Sequence, residues 1–186
     1  MNIEPALLRR LLTYDQNTGT LTWRKRSVDL FENEYRTRTA QHACNNWNSR
    51  YAGKAAFATN NVMGYKRGMV LNKLHQAHRV IWAIVCDEWP AEDIDHINGV
   101  KDDNRISNLR SVTHSENQKN QAMYSNNSSG AVGVHWDNTY GKWLAEIRTN
   151  GKKKFLGRFK DKNDAIAVRR DAEKMFGYHI NHGRKA

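Results

Sequence analysis

Apolar residues in the first half of the chain recur with two different spacings, which predicts short helices mixed with short strands. Residues 3–15 place four leucines on one side of a helix: Leu7, Leu8, Leu11 and Leu12. Over 17–26, Leu21 and Trp23 alternate with polar residues, which is typical of a strand after a turn. Residues 27–50 are polar and show no clear period, so they are predicted to be irregular.

Three further elements precede residue 90. Strands are predicted over 54–58 and 65–72, with an asparagine-rich turn between them. A helix follows over about 75–87 and stops before Pro90. Its apolar run, 80–85, is far shorter than the roughly 20 residues that cross a membrane, so no transmembrane segment is predicted.

The pattern changes after residue 122. The polar stretch 123–129 has no hydrophobic period and predicts a linker. Apolar and polar residues then alternate in three short segments joined by turns, which predicts antiparallel strands. Residues 161–177 predict a helix that ends at Gly177. Its apolar stripe comprises Ala165, Ala167, Val168, Ala172 and Met175.

These patterns predict an α+β fold in two domains. Residues 1–122 form the first, with a small sheet and helices over 1–90 and a strand–strand–helix segment over 91–122. Residues 123–129 are the linker. Residues 130–186 form a separate three-stranded antiparallel sheet with one helix.

Charge narrows the choice of partners. The 186 residues carry a net charge of +11, with a pI near 9.8 and a mean hydropathy of −0.85. Such an excess favours a polyanion, because basic side chains on phosphates release condensed counterions. Nucleic acid is the first expectation and an anionic membrane surface the second. The first 15 residues lack the layout of a signal peptide, so a cytoplasmic location is expected.

Outside residues 93–120, cysteine and histidine offer few candidate metal ligands. Cys44 and Cys86 are the two cysteines, and both are predicted to be reduced thiols. His75 and His78 are three residues apart, so they could form half a metal site on one helix face. The alternative, which we favour, is the polar start of a core helix.

Residues 93–120 contain an Asp-His pair followed by five asparagines: Asn98, Asn104, Asn108, Asn117 and Asn120. This is either a long turn or a site in which amides hold a metal and orient a base. Two short strands and a helix are predicted, with Thr113 and Glu116 forming a capping box at the helix start. A helix packed across the hairpin would bring Asn117 close to Asp95 and His96.

Phosphodiester hydrolysis fits these side chains. A neutral histidine, His96, can take a proton from water near neutral pH. Oxygen ligands from Asp95 and Asn117 suit one divalent ion such as Mg²⁺, or Mn²⁺, which would stabilise charge on the phosphate. Asn108 is predicted to fix the tautomer and angle of His96.

The same stretch resembles the HNH endonuclease family, whose ββα-metal motif matches "IDHING", "DDNRISNLRSVT" and "SENQKN" here. The resemblance implies that His96 is the general base, Asp95 and Asn117 are metal ligands, Asn108 orients the base and Asn104 braces the loop. It implies the one-metal form, since the CxxC pairs of the zinc-bound form are missing. Upstream, "YDQNTGTLTWRKR" and "HRVIWAI" resemble phage and intron-encoded homing endonucleases.

Residues 130–186 resemble an AP2/ERF-type DNA-binding domain, through Gly-Val-x-Trp, Trp-x-Ala-x-Ile and Leu-Gly-x-Phe. They contain 13 Lys or Arg and 6 Asp or Glu. In that family the sheet lies in the major groove. The resemblance and strand alternation give six DNA-binding candidates: Trp136, Trp143, Arg148, Lys152, Lys154 and Arg158. The alternative is that the tryptophans pack under the helix.

Three functions remain possible from the sequence. The favoured one is a homing endonuclease that recognises a DNA site and nicks or cuts it, acting as a monomer on an asymmetric site. The second is a DNA-binding transcriptional regulator with an inactive nuclease motif. The third, an RNA-binding or architectural protein, leaves the asparagines unexplained.

Overall fold

The computed structural model describes residues 2–31, 39–149 and 151–185. These residues form an α+β fold with five helices and several small sheets, which divides into two compact units, 1–111 and 112–186. None of the helices in the described ranges is long and apolar enough to cross a membrane.

The first unit opens with helix α1 (Pro5–Leu11) and strand β1 (Leu12–Asp15). The helix predicted over 3–15 is therefore wrong beyond Leu11. Leu12 has extended backbone angles, with φ −132° and ψ 144°, and pairs with Trp23 of strand β2 (Thr20–Trp23). Leucine favours helices, but pairing with β2 overrides that local preference.

The region 27–50 is not irregular where the structure describes it. A short 3₁₀ turn spans Val28–Phe31, and helix α2 spans Ala40–Tyr51 with Thr39 as its N-cap. Residues 32–38 lie outside the described part. The buried residues of helix α2 are Ala43 and Cys44, which pack against Phe31. Two buried positions make almost no apolar stripe, so the hydrophobic pattern of the sequence did not reveal this helix.

A second sheet precedes the central helix. Strand β3 (Ala55–Ala56) completes the first sheet, and β4 (Thr59–Asn60), β5 (Lys66–Val70) and β6 (Lys73–Gln76) form the next. Helix α3 (Ala77–Cys86) confirms the predicted helix, although its first two predicted residues belong to β6. It packs in the main core, whose most buried members include Leu8, Leu11, Val70, Val80 and Ile81.

The predicted strand pair is confirmed. Strand β7 (Asp93–His96) is hydrogen-bonded to β8 (Leu109–Val112), and β8 ends at the division between the units. Helix α4 (His114–Gln118) starts in the second unit with the predicted capping box of Thr113 and Glu116. Its packing across the strand pair stays a prediction.

Three antiparallel strands form the sheet of the second unit, in the order β11-β10-β9: β9 (Val134–Asp137), β10 (Lys142–Thr149) and β11 (Lys152–Phe159). Helix α5 (Lys162–Met175) packs on it through Ala165, Arg169 and Ala172, which are spaced i, i+4, i+7. The predicted stripe is thus partly wrong, because Ala167 is exposed and Met175 is 79% exposed.

The predicted linker, residues 123–129, forms no helix or strand. It nevertheless makes contacts inside the second unit. The N–H of Met123 donates to the Arg184 carbonyl at 2.8 Å, and the buried Ser129 hydroxyl donates to the Ala131 carbonyl at 2.8 Å.

Candidate functional site

Strand β7 places the two central residues of the candidate site. Ile94, Asp95 and His96 are all buried, and Ile94 belongs to the main core. A buried carboxylate and a buried imidazole need polar partners, because an unpaired polar group in the interior costs free energy. Those partners define the site.

Asn104 is the side chain that holds the His96 ring. The His96 Nε2 and Asn104 Oδ1 atoms are 3.1 Å apart, and both residues are buried. The Asn104 Nδ2 atom donates to the Asp102 carbonyl at 3.3 Å, which assigns Oδ1 as the acceptor toward His96. His96 therefore carries its proton on Nε2, and Nδ1 is the nitrogen with the lone pair.

Two aromatic rings pack against His96. The ring centroids of Tyr65 and His78 lie 5.6 Å and 5.2 Å from that of His96. His78 is itself buried, and burial, with smaller contributions from the charges of His96 and Arg79, lowers its pKa to about 3. Its imidazole is thus an uncharged packing surface for His96.

Burial also lowers the pKa of His96 below its ordinary value of 6.5. The hydrogen bond to Asn104 and the charges of Asp95, Asp103 and Asp102 act in the opposite direction but are outweighed. The His96 imidazole is therefore neutral at neutral pH, the state that accepts a proton.

Arg110, on the neighbouring strand β8, binds the Asp95 carboxylate. Its Nε and Nη2 atoms donate to Asp95 Oδ2 at 2.9 and 2.7 Å. A two-point contact of this kind fixes the rotamer of the carboxylate. The sequence analysis missed Arg110. The only indication of its role in the sequence is that it is a cation on the strand predicted to pair with the strand of Asp95.

Asn108 makes different contacts from those predicted. Its Oδ1 accepts the backbone N–H of Asn98 at 3.0 Å, and its Nδ2 donates to Asn98 Oδ1 at 3.0 Å and to the Asp103 carbonyl at 2.9 Å. The two asparagines thus exchange the contacts expected of them: Asn104 contacts the histidine, and Asn108 braces the loop. The position of Asn108 explains this difference. Asn108 is the last residue of a 3₁₀ turn, and its backbone carbonyl accepts the N–H of Ile97.

An ionised carboxylate reinforces the loop between the strands. Asp103 accepts from Asn98 Nδ2 at 2.8 Å and from Arg105 Nε and Nη2 at 2.8 and 2.6 Å. The hydrogen bonds from Arg105 are the largest cause that lowers the pKa of Asp103 to about 2. The loop that carries Asn104 is thereby fixed at its exposed side.

The first sheet holds the same loop from the other side. The Tyr14 hydroxyl donates to the Asn104 carbonyl at 3.2 Å and accepts the N–H of Ile106 at 2.8 Å. Gly19 has φ +71°, and a Cβ there would lie 2.5 Å from the Arg105 nitrogen. Only glycine allows this approach.

The predicted metal ligands lie in different units. Asp95 is in the first, whereas Asn117 is on α4 in the second, where its N–H donates to the Thr113 carbonyl at 2.9 Å. Among the described residues, no group of three or more His, Cys, Asp or Glu side chains gathers as a metal site. A carboxylate and an amide oxygen do fit the hard-oxygen preference of Mg²⁺, which uses few protein ligands and keeps waters.

The two histidines considered as half a metal site do not share a helix face. His75 lies in β6, and its ring centroid is 5.2 Å from that of Trp89. His78 lies in α3 against His96.

The six DNA-binding candidates divide between the two faces of the C-terminal sheet. Residues directly opposite one another on antiparallel strands share a face. Trp136 and Trp143 are opposite one another and lie on the face of buried Ala145, the helix face. Lys152 and Lys154 pair with Thr149 and Ile147 and join that face, whereas Arg148 and Arg158 lie on the other.

A β-bulge explains the division. Ala145 pairs with Gly157 but Glu146 pairs with Phe155, so Leu156 is an extra residue in β11. Simple alternation would have placed Lys154 and Arg158 on one face, and the bulge separates them. The outer face also carries two exposed residues that the sequence analysis missed, Lys153 and Phe155.

Comparison with known proteins supports one part of the chain. Residues 75–119 match the family model described as HNH endonuclease. No curated protein and no solved structure matches the chain. The match runs from β6 through the strand pair to the end of α4 and includes Asp95, His96 and Asn104. It supports an HNH nuclease that acts on DNA, and the alternative of a regulator with an inactive motif is not favoured.

Proposed function

We propose that this protein is a site-recognising DNA endonuclease of the homing type, which hydrolyses phosphodiester bonds with His96 as the general base. The observation that carries the proposal is the buried contact between His96 Nε2 and Asn104 Oδ1 at 3.1 Å. In the tautomer that this contact assigns, Nδ1 carries the lone pair that would accept the proton of an attacking water. The HNH match to residues 75–119 supports the reaction class.

The chain's own groups position the base and receive the proton. When Nδ1 takes the proton, the ring becomes an imidazolium whose Nε2–H donates more strongly to Asn104. Tyr65 and His78 limit ring rotation, since their centroids lie 5.6 and 5.2 Å away. Asp95, next in sequence to His96, adds a negative charge that favours the protonated form.

Asp95 and Asn117 are the residues that we assign to one divalent ion, Mg²⁺ or Mn²⁺. When bound, such an ion supplies charge stabilisation to the phosphate and the leaving oxygen. Arg110 holds Asp95 in one rotamer through Oδ2.

The second unit, in this proposal, anchors the enzyme on double-stranded DNA. Residues 130–186 would act as an AP2/ERF-like domain and read an asymmetric site as a monomer in a bacterial or phage-infected cell. Support comes from their excess of basic residues and from the exposed Arg148 and Lys153 on the outer face of the sheet.

The test of this function is cleavage of supercoiled plasmid carrying candidate target DNA, in Mg²⁺ and in EDTA. We expect conversion to open circle or linear DNA in Mg²⁺ only, and the product distinguishes a nick from a double-strand break. Tight DNA binding without cleavage of any substrate would contradict the proposal and leave a DNA-binding regulator.

The exchanged asparagine contacts lead to a separate prediction. Asn104→Ala should lower the single-turnover cleavage rate by about 10- to 100-fold, the usual cost of losing an orienting partner. Asn104→Asp, which keeps an accepting oxygen, should recover much of that rate.

Asn108→Ala is the matched control. It leaves the Asn98 N–H without its acceptor, so it should lower the free energy of unfolding by about 1–3 kcal/mol. It should affect the single-turnover rate less than Asn104→Ala. Equal rate losses in the two alanine variants, at a temperature where both are folded, would contradict the distinction.

A further inference from the structure

Two large apolar side chains stand at the turn between β4 and β5. Val62 is 102% exposed and Met63 is 60% exposed, and we refer to this pair as the apolar tip. Such exposure is unfavourable in water, and two adjacent exposed apolar residues on one turn suggest a contact with a partner.

The apolar tip is rigid. The Asn61 Oδ1 atom accepts the backbone N–H groups of Met63 at 2.9 Å and Tyr65 at 3.0 Å. The N–H of Gly64 donates to the Asn61 carbonyl at 2.9 Å. The turn is therefore held in one conformation before any partner binds, which lowers the entropic cost of inserting its side chains.

The tip is also attached to the candidate active site. Lys101, in the loop that follows His96, donates from Nζ to the Met63 carbonyl at 2.9 Å and lies 5.3 Å from the centre of the Tyr65 ring. That ring in turn packs on His96. A partner that touches the tip is thus near the phosphate that His96 would act on.

Three basic residues lie next to the tip, two in sequence and one by contact. Lys66 and Arg67 follow it in β5, and Lys101 lies beside it. An apolar pair with cations beside it fits a partner with an apolar interior between negative edges. Duplex DNA has this arrangement, with stacked bases between two phosphate backbones.

We infer that the apolar tip is a wedge that enters duplex DNA between neighbouring base pairs near the cleaved bond. Inserted apolar side chains unstack a base step and kink or unwind the helix. This inference rests on the proposed function and names how the same site distorts its substrate.

Unwinding of a closed circular plasmid tests the wedge without knowledge of the target sequence. The full chain is bound to the plasmid in EDTA, a metal-independent topoisomerase relaxes it, and the linking number is measured after the protein is removed. The wild type should lower the mean linking number. The Val62→Ser/Met63→Ser variant should lose most of this shift at equal occupancy, as measured by gel shift.

Met69→Ser/Leu74→Ser is the matched control. These two residues pair across β5 and β6 and are 57% and 61% exposed, but they lie away from the turn between β4 and β5. The control should keep the wild-type shift. An equal loss in both double variants, or an unchanged shift in the tip variant, would overturn the inference.

The cleavage reaction gives a second readout. The tip variant should cleave linear DNA at least about 10-fold more slowly than the wild type, because unstacking must occur without the wedge. Its loss on negatively supercoiled DNA should be smaller, since that DNA already favours unwinding. Equal losses on both forms would overturn the wedge.

Failure of the nuclease proposal is distinguishable from failure of the wedge. A protein that never cuts but shows a tip-dependent shift in linking number retains the wedge and refutes the nuclease. A protein that cuts in Mg²⁺, and whose tip variant shows the same shift in linking number as the wild type, retains the nuclease and refutes the wedge.

Discussion

Replacing His96 with alanine is expected to slow DNA cleavage by about 10²- to 10⁴-fold in Mg²⁺, the usual contribution of a general base. The effect should appear in the single-turnover rate rather than in DNA affinity, because the buried His96 contributes no surface charge. DNA binding in EDTA should remain close to that of the wild type.

The pH dependence of the wild-type rate provides a second check. Since burial lowers the pKa of His96, the neutral, proton-accepting form persists below pH 6.5. The rate should therefore be retained as the pH falls through 6.5 and be lost only at lower pH. A rate that already falls above pH 6.5 would argue against this base.

Two further variants make the His96 experiment interpretable. His42→Ala changes an exposed histidine on α2 and should cleave as the wild type does. His96→Asn keeps a donor for Asn104 but no proton acceptor, so it separates loss of the base from loss of packing. Cleavage by a folded His96→Ala variant at the His42→Ala rate would eliminate His96 as the base.

The second large effect concerns the two faces of the C-terminal sheet. We expect Arg148→Ala/Arg158→Ala, on the outer face, to weaken DNA binding by about 10- to 100-fold. The slope of log affinity against log salt should fall by about 2 for two lost phosphate contacts. Arg158 also neutralises Asp137 at 2.8 Å, so its loss exposes a carboxylate to the DNA.

Lys152→Ala/Lys154→Ala is the matched comparison, since it removes the same charge from the helix face of the same sheet. It should weaken binding much less. The measurement is DNA affinity at several salt concentrations. Equal losses in the two variants would mean that overall charge, rather than the outer face, governs binding.

Elements with strong local signals were predictable from the sequence. The apolar run of α3, the strand pair β7–β8 and the Thr113–Glu116 capping box carry their information in adjacent residues. The Asp95-His96 pair was located for the same reason, because its neighbours specify a short strand.

Features decided by distant contacts were not predictable. Leu12 left the helix because it pairs with Trp23. The fold of the loop between β7 and β8 determines that Asn104, rather than Asn108, contacts His96. The bulge at Leu156 puts Lys154 and Arg158 on opposite faces, and no spacing rule reveals an inserted residue.

The hydrogen bonds made by the Tyr14 hydroxyl and the close approach of Gly19 to the backbone of Arg105 determine how much of the chain the candidate site needs. Both residues lie outside the segment 75–119 that matches the HNH family, yet they support the loop that carries Asn104. A graft of the matched segment alone onto another scaffold would leave that loop without its buttress. A transplantable module of this candidate site therefore has to include Tyr14 and Gly19.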